Sequence, residues 1–122
     1  MSHVVQIATE VRDVAAARAA CNRLQLDPPS EGRAQLFSGE ATGLIVQLSD
    51  WQYPVVFNTS TGEARYDNFG GRWGDQKHLD RFLQIYAVEA TKIQAHLKGH
   101  SITEQTLTDG SIKLTVQIGG AA

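Results

Sequence analysis

An α+β fold, with helices packed on one face of a mostly antiparallel sheet, is what three observations in this sequence predict. Apolar side chains at Leu79, Phe82, Leu83, Tyr86, Ala90, Ile93 and Leu97 recur every three or four residues, the stripe of a long amphipathic helix. The stretch before it alternates strand-like runs with turn residues, which reads as successive hairpins. The stretch after it places Asp109-Gly110 between two alternating runs, a strong hairpin signal. Segregated helices and strands of this kind give the chain order β-α-β-β-β-β-α-β-β.

Residues 3–11, HVVQIATEV, have the β-branched content of a first strand. Asp13 stands as an N-cap before a helix whose Val14, Ala17, Cys21 and Leu24 form a narrow stripe, so that helix packs close and Cys21 belongs to the core. A connector follows at Asp27-Pro28-Pro29-Ser30-Glu31-Gly32, where proline bars helix continuation. Residues 34–39 and 41–48 form a hairpin turning around Ser38-Gly39-Glu40, with Leu44, Val46 and Leu48 buried. Residues 53–58 and 62–68 form the next, turning through Thr59-Ser60-Thr61-Gly62.

The long helix spans 76–98, capped by Asp75 and ended by Gly99, and at about 1.5 Å per residue its length of roughly 34 Å overhangs a small sheet. Leu79, Phe82, Tyr86, Ile93 and Leu97 are its expected core residues. In the closing hairpin Asp109-Gly110 predicts a type I′ turn, and Ile112, Leu114, Val116 and Ile118 share one side of the last strand. Ile102 and Leu107 fall on opposite parities, which predicts either a bulge or a one-residue irregularity between them.

With 122 residues, 42% hydrophobic and 20% charged, residues 1–118 fit a single α+β domain followed by a short tail, 119–122. The lone Cys21 excludes an internal disulfide and fits a reducing, cytoplasmic setting. The first residues have no leader pattern, and no run approaches the roughly 20 apolar residues of a membrane span. Eleven Lys and Arg against thirteen Asp and Glu give a net charge of −2, which argues against phosphate-dominated binding of nucleic acid.

The opening MSHVVQIATEVRD, the block WGDQKHLDRFLQIYAVEATKIQAHLKG and the closing DGSIKLTVQI occur in this order over most of the chain. In these pieces, above all Met1-Ser2-His3, Tyr86-Ala87 and Asp109-Gly110-Ser111-Ile112, the chain resembles the hypothetical chloroplast reading frame 35 family. That family is a conserved domain of unknown function met in plastid genomes, cyanobacteria and some other bacteria. The resemblance implies a shared fold and supplies no activity, cofactor or site residue.

Chemistry is sparse. Gly70-Gly71-Arg72-Trp73-Gly74-Asp75 precedes a helix, yet it has neither the Gly-Lys-Ser/Thr ending of a phosphate loop nor the ordered glycines of a dinucleotide fingerprint. A turn that needs glycine geometry accounts for it. His3, His78, His96 and His100 are spread over the chain and read as surface histidines rather than metal ligands. Asp67, Asp75, Asp80 and Glu89 read as members of surface ion pairs. No metal or cofactor is implied, and no nucleophile can be set beside a base.

What stands out is a mixture of aromatic and basic side chains before and at the start of the long helix: Arg65, Tyr66, Phe69, Arg72, Trp73, Lys77 and Arg81. Either these aromatics, with Trp51 and Tyr53, cap an open end of the core, or they anchor a partner. Trp51 is expected beneath the end of the sheet, and Trp73 and Arg72 partly exposed, bracketed by Gly70, Gly71 and Gly74. The sequence thus predicts a non-enzymatic protein-binding or adaptor module, with oligomerisation open to an edge strand. Its alternative is a small enzyme or ligand-binding domain holding an anionic molecule near Arg65, Arg72 and Arg81.

Overall fold

The computed structural model describes residues 10–118, so residues 3–9 of the expected first strand and the 119–122 tail lie outside the described residues. Helix α1 spans Val14–Arg23, and the Asp13 side chain accepts a hydrogen bond from the Ala16 N–H, satisfying a donor the helix leaves free. Strands β1 (Ser30–Leu36), β2 (Gly39–Val46), β3 (Val55–Phe57) and β4 (Ala64–Arg65) follow as an antiparallel meander in chain order. A short 3-10 turn at Phe69–Gly71 leads to helix α2, Gln76–Leu97, and strands β5 (Ser101–Thr106) and β6 (Ile112–Gln117) close the chain as a separate two-stranded antiparallel sheet.

Alternation along β2 and β3 sorts the four-stranded sheet into two faces. Leu44 pairs with Phe57 and Val46 with Val55, and all four join one core with Ala16, Ala17, Ala20 and Cys21 of α1 and Leu79, Phe82, Ile85 and Tyr86 of α2. Both helices therefore cover the same face. The small stripe of α1 permits its close approach to α2, and burial raises the Cys21 thiol pKa to about 11, which leaves it an inert part of the core. On the other face Leu36, Ala41 and Val56 form a second, smaller cluster with Ala34, Ile45 and Tyr53.

The hairpin β5–β6 is joined to the helices by charge as well as by Ile112. Glu104 of β5 lies between Arg23 of α1 and Lys92 of α2, with Lys92 Nζ at 2.8 Å, while Glu89 of α2 also accepts from Arg23 at 3.0 Å. The expected reading of Glu89 as an ion-pair partner is met: it pairs along α2 with Lys92 at 3.6 Å and also ties α2 to α1 through Arg23.

Several local expectations are corrected. The connector ends at Pro29, because Ser30 already pairs with Ile45 in a ladder that needs no apolar periodicity. Leu36 pairs with Gly39, so the first turn consists of Phe37 and Ser38. Leu97 is 74% exposed, since the last turn of α2 runs past the packed layer, in which Ala95 is its final buried residue. Ile93 is only partly buried, and Val116 and Ile118 are exposed, so the inward side of β6 is effective only at Ile112 and Leu114. The pairing of β5 with β6 is continuous from Ser101 to Thr106, which excludes a bulge within β5.

The final turn is not type I′. Only Gly110 has positive φ, at 89°, whereas type I′ needs two such residues. Gly110 N–H donates to the Leu107 carbonyl and Leu107 N–H to that of Ser111, which leaves a three-residue loop. Asp109 favours it by accepting from both the backbone N–H and the hydroxyl of Ser111, bonds that also lower its carboxyl pKa.

Candidate functional site

The loop between β4 and α2 is fastened at both ends. At its start, Asp67 accepts from the backbone N–H and hydroxyl of Ser38, linking the loop to the β1–β2 turn. At its end, Trp51 is buried in the main core and its indole N–H donates to the Asp75 carbonyl at 3.0 Å. Gly74 is required there by proximity: a Cβ on it would fall 2.3 Å from the Trp51 ring. The expectation for Trp51 is met, and its burial fixes where the loop turns into the helix.

Between these anchors the loop raises an aromatic cluster. Trp73 is half-buried, and its ring meets Phe69 stacked at 4.7 Å, Phe37 at 5.0 Å and Tyr53 edge-on at 5.5 Å. Tyr53 also packs against Leu36, Ala41 and Val56, so the cluster continues the small core on the sheet face opposite the helices. The outer members are open: Phe37 is 68% and Phe69 56% exposed. Arg72 is exposed and places its guanidinium 5.6 Å from the Phe69 ring centre, a cation–π arrangement.

Of the residues singled out in the sequence, Phe69, Arg72 and Trp73 come together. Tyr66 turns the other way, edge-on to Trp51 at 5.7 Å, and Arg65 is exposed opposite Val56 on β4, the pairing that puts its side chain on the same sheet face as the small core. Lys77 and Arg81 separate from the aromatics. They border an open cleft against the final turn, with Asp80, Gln84, Asp109 and Ser111, where Gln84 donates to the Gly110 carbonyl. Arg81 borders a second, smaller cleft with His78, and neither cleft includes Arg65 or Arg72.

Phe37 completes the cluster and escapes the sequence reading, because hairpin pairing brings it in from 36 residues away, whereas Tyr53, already grouped with these aromatics in the sequence, meets Trp73 from 20 residues away. The only signal was a large ring in a tight turn. His78 is likewise more enclosed than a surface histidine: its Nδ1 is buried and makes no hydrogen bond within the protein. Chemically the cluster offers flat apolar rings and a delocalised cation, a surface suited to contact rather than bond-making. No helix among the described residues is long and apolar enough to cross a membrane. No protein-family model, no curated protein and no solved structure matches the chain.

Proposed function

We propose that the protein is a non-enzymatic protein-binding module whose contact surface is the cluster of Phe37, Phe69, Arg72 and Trp73. The observation that carries this reading is the pair of highly exposed rings flanking a half-buried tryptophan. Folded chains seldom leave large apolar rings grouped in water, and aromatic and Arg side chains are the usual anchors of interfaces. Oligomerisation through β1 or β4, the outer strands of the four-stranded sheet, belongs to the same proposal. So does membership of the chloroplast reading frame 35 family, which contributes no activity to it. An anionic ligand shared by Arg65, Arg72 and Arg81 draws no support from clefts that contain Arg81 without the other two.

The test is affinity capture from the native cell with wild type and a Phe37→Ser, Phe69→Ser double variant. Both replaced side chains are mostly in water, so the denaturation midpoint should hold while the captured set is lost. A double variant that captures the same proteins in the same amounts would remove the surface from consideration.

A further inference from the structure

The four-stranded sheet ends at β4 with one edge unused. Asn58 N–H donates to the Glu63 carbonyl at 2.8 Å, so Glu63 and, two residues on, Arg65 turn their peptide groups toward β3, whereas Ala64 and Tyr66 turn theirs outward. Among the described residues no strand lies beyond β4. Ala64 is consequently exposed, although it shares the helix-covered face with its buried cross-strand partner Phe57.

The chain enters the described fold along this same edge. Val11 N–H donates to the Gly62 carbonyl at 3.2 Å, and the Arg12 guanidinium donates to the Thr61 carbonyl at 3.2 Å. From Arg12 back to Val11 the partner advances from Thr61 to Gly62, which is the sense of an antiparallel pair. The backbones are close here, since a Cβ on Gly62 would fall 2.3 Å from the Cβ of Glu10. Gly62 has the parity of Ala64 and Tyr66, so the Val11 bond is the first rung of a ladder whose next two positions on β4 and just beyond it face outward. Val11 itself is fully buried in the main core.

We propose that residues 5–9, which precede the described residues, add a strand to the free edge of β4, antiparallel to it, with Thr9 opposite Ala64, Ala8 opposite Arg65 and Ile7 opposite Tyr66. The sequence agrees with this register. Side chains alternate along a strand, so Val5 and Ile7 share the parity of the buried Val11 and lie on the helix side, while Gln6 and Ala8 take the other face. A slip of one residue would exchange the two sets and put Gln6 where Ile7 belongs. The lengths agree as well, because residues 5–9 match 64–68 and stop where the partner chain turns into the 3-10 helix at Phe69. The exposed Ala64 is then covered, and β1 is left as the edge of this sheet open to a second chain.

The test is NMR of the isotope-labelled full chain. Ala8 and Arg65 form a non-hydrogen-bonded pair in this register, where the two backbones come closest, so a strong nuclear Overhauser contact should join their Hα atoms. The Ala64 and Tyr66 amides should exchange slowly with solvent. Ile7→Pro removes a ladder donor and should speed exchange at both at least tenfold, while amides in the β2–β3 pairing keep theirs. Absence of the Ala8–Arg65 contact, contacts of residues 5–9 with another part of the chain instead, or unchanged exchange at Ala64 and Tyr66 in Ile7→Pro would each overturn the proposal. An equal mixture of labelled and unlabelled chains identifies the strand's owner: a contact that arises only between different chains would assign the edge to a second copy and overturn the assignment to the chain's own segment. The Hα contact is read on the unmodified chain, so it decides the question even if the variant does not fold. Partner capture by Phe37 and Phe69 is read separately, so either proposal can fail without the other.

Discussion

Replacing Glu104 by Gln should detach part of the β5–β6 hairpin's hold on the helices, and the loss should fade in acid. Hydrogen bonding from Arg23, and next from Lys92, pulls the Glu104 carboxyl from an ordinary 4.5 down to about 2. At about 1.4 kcal/mol per pH unit, that shift sets a ceiling of about 3 kcal/mol on the group's contribution. The Glu104 side chain is 20% exposed and its partners 31% and 38%, so water screens the pairs and about 1–2 kcal/mol is the expected loss at pH 7. The sign follows from the direction of the shift. A carboxyl depressed on folding stabilises fully above its unfolded pKa, and that contribution drains away as pH falls from about 4.5 toward about 2. Urea midpoints of wild type and Glu104→Gln measured from pH 7 to pH 3 should therefore converge. A gap that is absent at pH 7, or that stays constant to pH 3, would refute the assignment of this stabilisation to the charge on Glu104.

Two substitutions probe packing. Phe82 is fully buried, with rings of Phe57 at 5.7 Å and Tyr86 at 6.5 Å, so Phe82→Ala should cost about 3–5 kcal/mol, severe against a total of about 5–15 kcal/mol; an unchanged denaturation midpoint would place the ring outside the core. Gly74→Ala should cost about 1–3 kcal/mol by driving a methyl into Trp51, with a change in tryptophan fluorescence as the ring moves; a neutral midpoint and an unaltered spectrum would show that the loop yields freely.

The most legible parts of this fold are those decided by neighbours in sequence. Asp13 and Asp75 cap their helices and Gly99 takes a φ of 75° past the end of α2, because capping depends on residues within one turn. Leu97 shows the limit of periodicity, which tells which face of a helix is apolar and not how far the layer beneath extends. The final turn shows another, since Asp-Gly suits more than one loop geometry and the length is chosen by the closing bond at Leu107.

The candidate site divides in the same way. Phe69, Arg72 and Trp73 are readable as a group because one short loop carries them. Phe37 and Tyr53 reach Trp73 only through strand register, and Lys77 and Arg81, though a few residues away in sequence, are swung by the helix toward a different cleft. Trp73 itself, expected from sequence to be partly exposed, is half-buried as the hub of three ring contacts. Its truncation would disturb Phe37, Phe69 and Tyr53 together, which is why the outer rings are the cleaner probes of binding.

One hydroxyl has a bearing on how the chain folds. The Tyr86 oxygen accepts hydrogen bonds from the backbone N–H groups of Arg12 and Asp13 at 3.0 and 2.9 Å, closing spans of 74 and 73 residues. The whole four-stranded meander lies inside that span, and each of its turns joins strands adjacent in sequence. Hairpins of this kind close small loops, whereas the seating of α1 against α2, like the Arg23–Glu104 pair with its span of 81 residues, must close a far larger one, at an entropic cost that grows with the logarithm of its length. Helix α1 is thus tied down by a partner 73 residues further along, so during synthesis from the N-terminus this contact is closed to it until Tyr86 has been added.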